Sequence, residues 1–457
     1  MLRGRGGGKH RARIGSIVGT AFLALLGWLP MAVAASWPYG AFAWAGEMTV
    51  QALDQAEYRV LLGEGDTTPG GGDLPVLNMG LPIVDAAGRV AFTGRLADGG
   101  VGEGFVWLDG SIVFRDSQAV GVSLVGAAPQ LALGGDGQFL FRAQVEGRDV
   151  LWSDGGLVAK AGDPEPLLGG ATVQILRRPL ATDAGGLYWI AVYKGAEGAG
   201  RALFRRPPGG SPEVVLRSGD TVDGGVIAKP RGLDLSYDVS SDGAHHVHIV
   251  ELENQSGGNG VVQAVLLDRQ VVLRAGDPAG PGEVWDRFRA VAVDADGHWV
   301  VSGETSGPIE TDTVFAYDGE IRLREGDQVG DISLRAQASI VAVDIDRGRI
   351  AQIWSTAGFG HQYVLFSCSE ADIPQSRRLL GTRLAGERLG GEAVTAFEGT
   401  GHGSALRLGG GDYLYYWTEL TRASGESRQA VIATRLPVCT PSGEGVPAVS
   451  LPDERRD

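Results

Sequence analysis

Cysteine is scarce in this 457-residue chain, with only Cys368 and Cys439. They do not form a C-x-x-C pair, so a thioredoxin-like redox motif is excluded. Basic residues are the minority: 40 Lys and Arg stand against 55 Asp and Glu, for a net charge of -15. No basic run is dense enough to follow a phosphate backbone, which excludes nucleic acid as a partner. Beyond residue 45 no apolar run approaches the ~20 residues of a membrane-spanning helix. No G-x-S-x-G elbow is present, no Ser or Cys has a base and orienter at recognisable spacing, and no glycine-rich segment carries the lysine of a phosphate loop. Glycine, by contrast, is abundant at 73 residues. The glycines separate apolar runs and do not form one tract, which describes many tight turns.

The first residues read as an export signal. Arg3, Arg5, Lys9, Arg11 and Arg13 form a basic start, Ile14 to Leu29 an apolar run ended by Pro30, and Ala32-Val33-Ala34 a cleavage site. Ala43-Trp44-Ala45 offers a second site. Residues 1–34 are therefore expected to be a signal peptide or, in the alternative, an uncleaved anchor, which would be the only membrane contact. Residues 35–55 read as a linker, 56–437 as the folded domain, and 438–457 as a tail disordered after Cys439. Without a twin-arginine pair, general secretion to the periplasm or the extracellular space is expected. In that compartment two cysteines permit one bridge, Cys368 to Cys439.

From residue 58 onward one pattern recurs about seven times, at intervals of roughly 50 residues, a period of repeat architectures. Its clearest copies end in a strand followed by Gly-Asp, at Asp66, Asp163, Asp220, Asp277 and Asp327. A weaker copy ends at Asp116 and a degenerate one at Thr382. One repeat, Asp66 to Asp116, reads as four strands: Val76 to Val84, Arg89 to Leu96, Phe105 to Leu108 and Ser111 to Arg115. Asp109-Gly110 between the last two is a two-residue hairpin turn, since both positions want φ > 0. Four short antiparallel strands per repeat describe a propeller blade.

The fold class expected is thus all-β: a seven-bladed β-propeller of four-stranded antiparallel blades. The last copy lacks a fourth strand, and an orphan strand, Tyr58 to Leu62, precedes the first. Placing that strand beside Ala430 to Thr434 closes the ring and removes the exposed edges. Cys368 and Cys439 both follow third strands, in the sixth and seventh copies, which neighbouring blades would bring together.

Asp85-Ala86-Ala87-Gly88-Arg89-Val90-Ala91-Phe92 resembles the motif of the NxxGxxAF tandem-repeat family of exported bacterial proteins. Gly276-Asp277-Pro278-Ala279-Gly280 and Gly162-Asp163-Pro164-Glu165-Pro166 resemble that family's GDPAPG-like turn. The resemblance covers residues 58 to 436 and implies a secreted or surface repeat protein of no established chemistry. Only one copy keeps Ala-Phe, and the chain ends in polar residues where members often carry a sorting anchor.

Antiparallel topology sorts the loops onto two faces. The joins of strands one to two and three to four are tight, whereas the joins of strands two to three are long and dissimilar. Variable polar loops on a repeating scaffold are where binding usually lives. The Gly-Asp carboxylates Asp66, Asp163, Asp220, Asp277 and Asp327, with Asp116, lie on that same face. They are read either as a ligand-binding ring suited to calcium or as caps of their own turns. His246 and His248 project from one strand face with Glu251 or Glu253 nearby, a spacing that suits zinc or copper. The same position holds Trp189 and Trp299 in other copies, so aromatic packing accounts for it without a metal. Glu304 and Glu310 are a carboxylate pair of the kind that flanks a sugar bond. His361 and His402 lie in loops without evident partners.

The leading functional expectation is a non-enzymatic binding or interaction module, with no cofactor. Its partner would be a protein, glycan or small molecule on the long-loop face. The rival is a propeller hydrolase or lyase acting on a saccharide or peptide-like substrate through a metal or carboxylate centre. A purely structural surface repeat is the third reading.

Overall fold

The computed structural model describes residues 58–439 apart from short stretches, the longest at 125–129, 254–259, 383–387 and 398–405. The signal-peptide and linker readings, His402 and the tail beyond Cys439 lie outside the described residues. What is described is almost entirely strand, arranged as seven antiparallel sheets that follow one another along the chain. In blade 1 the strands are Val76–Met79 with Ile83–Val84, then Val90–Leu96, Glu103–Leu108 and Ser111–Arg115. The hairpin turns have the predicted geometry: Asp109 and Gly110 lie at φ 46° and 108°, Asp318 and Gly319 at 47° and 84°. Both central residues must be left-handed for the turn to match strand twist, and glycine adopts that conformation freely.

Central strands are apolar on both faces because each face packs on a neighbouring blade. Phe92 and Trp107 of blade 1 stack at 4.5 Å and join Leu62, Trp417 and Val431 in the core shared with blade 7. Trp189 stacks on Phe204 at 5.5 Å in the same way. The tryptophans of the described strands are core residues except Trp152, which is half-buried.

The ring closes as expected. Tyr58–Gly63 lies antiparallel to Ser427–Arg435, with Tyr58 opposite Thr434 and Gly63 opposite Ala430. Leu62 is buried in the seam, a burial worth about 2 kcal/mol, and Arg428 pairs with Asp66 across it at 3.2 Å. Cys368 and Cys439 are bridged. The bond ties the segment after blade 7's third strand to the one after blade 6's.

The recurrence of Gly-Asp has a structural cause. Gly65, Gly162, Gly219, Gly276 and Gly326 all lie at φ between 86° and 95°. The carboxylates of Asp66, Asp220, Asp277 and Asp327 each accept the backbone N–H three residues earlier, from Gly63, Arg217, Arg274 and Arg324. Asp163 instead meets Arg148 at 3.2 Å. The Gly N–H and the Asp carbonyl then bridge to one apolar residue entering the next blade: Val76, Val173, Ile227, Trp285 or Leu334. Each motif ends one blade and aims the chain into the next.

Two alignments need correction. Phe105 pairs with Arg115 as Ala202 pairs with Arg217, so Asp116 stands one place before the Gly-Asp pair, equivalent to Ser218. Both accept a third-strand N–H, from Gly104 and Arg201. Thr382 does the same for Gln362, so neither Asp116 nor Thr382 belongs to the turn series. His246 is equivalent to Trp299, since their N–H groups are accepted by the matching hairpin residues Asp268 and Asp318. Trp189 aligns two residues further on, with His248.

Candidate ligand site in the central channel

The first strands of all seven blades surround a central cavity of about 980 Å3. An innermost strand is a sheet edge, so its channel-side N–H and C=O groups need other partners. Side chains of the preceding blade supply several. Gln130 accepts from Arg178 N–H at 2.6 Å, Asp238 from Val293 N–H at 3.1 Å and Asp344 from Leu408 N–H at 2.7 Å. A second series starts one or two residues into four of the third strands. Asp149, Gln263, Gln362 and Gln429 accept from Leu176, Phe288, Phe397 and Met79 of the next blade, where bulges break the first-strand ladders. These links were missed in the sequence. The signal was present as one Asp or Gln near the start of the third strand in four blades.

At the tight-turn end the one-to-two turns are tied together around the whole ring. Arg89 donates to Gly135 O, Gly135 N–H to Thr182 O and Asp183 N–H to Ser241 O. The His245 ring lies 3.3 Å from where a Cβ on Gly297 would stand. Gly348 N–H donates to Asp294, Arg349 to Gly409 O and Gly411 O, and Tyr415 to Gly88 O. Ala86 N–H also reaches Asp183 at 2.9 Å, joining blade 1 directly to blade 3. The turns therefore crowd over the channel at this end. Asp294, in the blade 5 turn, accepts from Asp296, His298 and Gly348 N–H.

Just inside those turns lies one tier of seven residues, one per blade, set by the register the sheets share: Ile83, Ala132, Leu180, Asp238, Ala292, Asp344 and Arg407. Four are apolar. Asp238 and Asp344 are buried, and Arg407 lies 3.5 Å from Asp344. Burial pushes the Asp344 carboxyl up to about 7; Arg407 opposes that shift and the charge of Asp238 adds to it. Burial also raises Asp238, again opposed by Arg407. Two buried carboxylates thus lie in the field of one guanidinium, and burial raises both, Asp344 to about 7.

Higher on the wall, Arg178 holds a left-handed backbone, φ 50°. Such strain in a non-glycine residue persists only where its surroundings enforce it. Here Gln130 of blade 2 takes its N–H and the Tyr237 hydroxyl of blade 4 donates to its carbonyl. Tyr237 in turn stacks on the buried His248 at 5.6 Å.

No protein-family model matches this chain, and no curated protein does. Among solved structures it is similar to the β-propeller domain of the Trilobed protease from Pyrococcus furiosus. That match has 11% identity and a TM-score of 0.41, and covers 77% of this chain and 96% of that one. It is also similar to an acylaminoacyl peptidase (11% identity, 81% of this chain and 52% of that chain, TM-score 0.39). A third match is a bat subtype N11 neuraminidase-like protein (10% identity, 84% and 95%, TM-score 0.32). The seven-bladed architecture stands on the strand pairing above, and no activity carries across from these proteins.

Of the remaining site residues expected from sequence, only His246 and His248 come together. Asp66, Asp220, Asp277 and Asp327 are engaged in their own turns, and Asp163 is exposed. His246 and His248 do meet, with Nδ1 of the first 3.1 Å from Nε2 of the second. Burial lowers the pKa of both, His248 well below the ordinary value. Glu251 and Glu253 fall on the other face of the strand by its period of two. Among the described residues no group of three or more His, Cys, Asp or Glu is placed to hold a metal ion. Glu304 is bound by Arg287 and Arg289, which hold its carboxyl below the usual range although burial works against them. Glu310 is exposed. His361 takes Thr382 O as a partner at 3.0 Å. No helix among the described residues is long and apolar enough to cross a membrane.

Proposed function

We propose that this is an exported binding propeller whose small-molecule ligand enters the central channel from the long-loop face and seats against the tier of Asp238, Asp344 and Arg407. The observation that carries this is the unrepeated ionic tier at the narrowed base of a 980 Å3 cavity. Small-ligand pockets are typically ~300–1,000 Å3, mostly apolar, with a few convergent polar groups. Export is supported by the signal-like start and by the Cys368–Cys439 bridge. The test is a ligand-observed NMR and thermal-shift screen of sugars, amino acids, amines and carboxylates, run on the mature protein and on Ala292→Trp, which fills the tier. At least one class is expected to bind the wild type and not the filled variant. Binding that is unaltered by Ala292→Trp, or no binding by any class, overturns the reading.

A second reading, a hydrolase or lyase with a carboxylate centre, is favoured by one observation: an acid near 7 beside a second buried acid. Aryl glycosides and peptide anilides test it directly. Turnover abolished by Asp344→Asn supports it, and the absence of turnover leaves a binding protein.

A further inference from the structure

We infer that the channel ligand presents one protonated nitrogen, as a small organic amine or amino sugar, to the pair Asp238 and Asp344. This rests on the channel reading above and names the chemistry of its ligand. Charge is the first argument. The tier holds two carboxylates and one guanidinium, so with both acids ionised it lacks one positive charge, and buried charge is tolerated only when it is matched. A ligand ammonium supplies that charge.

Geometry is the second. Asp238 accepts Val293 N–H and Asp344 accepts Leu408 N–H. Each carboxylate has about four lone-pair directions, so both keep acceptor capacity for a three-donor ammonium. The carbon body of such a ligand would lie against Ile83, Leu180 and Ala292 in the same tier. A divalent metal ion fits poorly there. Calcium wants six to eight oxygens and zinc four ligands, whereas the tier offers two carboxylates, four of its seven positions are apolar and Arg407 brings a like charge.

The groups facing Asp344 are Arg407 and Leu408 N–H of blade 7, Asp238 of blade 4 and Asp346 of its own strand. An amine needs Asp344 ionised, so affinity falls as Asp344 takes up its proton.

The experiment is a ligand-observed NMR titration of the mature protein with 1-butylamine, 1-butanol and butyrate, and with glucosamine against glucose, at pH 6, 7 and 8. 1-Butylamine is expected to bind at least tenfold more tightly than 1-butanol or butyrate at pH 8 and to weaken toward tenfold per pH unit below about 7; glucosamine, only partly protonated at pH 8, is expected to bind more tightly than glucose at pH 7. Asp344→Asn, near-isosteric and still able to accept Leu408 N–H, should lose the amine preference and its pH dependence. Asp238→Asn should lose the preference as well. Should butanol, glucose or butyrate bind, be blocked by Ala292→Trp and outcompete the amines, the amine assignment fails while the channel reading stands. Amine binding insensitive to both Asn variants also overturns the assignment. If Ala292→Trp blocks nothing, the channel reading itself has failed.

Discussion

The Gly-Asp junctions and the base of the channel both depend on aspartate, and they use it in opposite ways. At the junctions the residue recurs five times. Four of the carboxylates cap their own turns, and the neighbouring glycines are all left-handed. At the channel base aspartate appears in two blades of seven, at positions where other blades carry Ile83, Ala132, Leu180 or Ala292. Each of these two carboxylates reaches into the next blade, and the two share one arginine. In a repeat protein the residues common to all copies report what a copy needs to fold. The departures from the repeat are where a specific chemistry stands out.

The comparison can be broken first at the scaffold. Deleting residues through Gly63 should leave Ser427–Arg435 as an open edge and lose the burial of Leu62 and the Arg428–Asp66 pair. Combined with reduction of the disulfide, worth roughly 4 kcal/mol in the chain-entropy model, the expected fall in Tm is about 10 °C or more. An unchanged melting curve would refute closure as a source of stability.

The channel base should show itself next, in the pH dependence of stability. An aspartate at about 7 in the folded state and about 3.9 unfolded binds more protons when folded. Its presence therefore makes stability fall as pH rises between those values, by up to about 1.4 kcal/mol per unit. Asp344→Asn should flatten urea-unfolding free energies between pH 4 and 7.

A junction glycine comes third. No atom lies within 4 Å of a Cβ built on Gly276, so Gly276→Ala tests backbone strain alone, at about 1–2 kcal/mol. Ligand binding in the channel should be unaffected. His248 should follow. Its pKa is pushed down by burial, so the unfolded chain binds the extra proton, and stability present above the unfolded value of about 6.5 is lost as pH falls. His248→Phe should reduce that acid sensitivity by about 1 kcal/mol between pH 7 and 5. The smallest effect is expected from Asp163→Asn, whose partner is an exposed arginine; a change below about 0.5 kcal/mol is the usual worth of such a pair.

Much of the fold could be read in advance because the propeller is written in local terms. Asp-Gly specifies a hairpin turn within two residues, and Gly-Asp a junction within four. The missing fourth strand of the last copy and the spare strand before the first gave the closure, and Tyr58 does lie opposite Thr434. Asp116 was placed in the wrong series because a two-residue offset along the chain changes nothing in composition. Gln263, Gln362 and Gln429 passed unremarked because an isolated polar residue at a strand start reads as solvated. Only the packing of the next blade shows each one capping an N–H freed by a bulge.

The chain alone determined strand, turn, blade period and closure, since each follows from φ preferences and from alternation over a few neighbouring residues. It did not bring Asp238, Asp344 and Arg407 together. These lie at separations of 106 and 63 residues on three different blades, and only ring closure places them in one tier. Their shared burial, and the proton near neutral pH that follows from it, belong to the tertiary structure, because charge coupling and desolvation depend on distance in space and not along the chain.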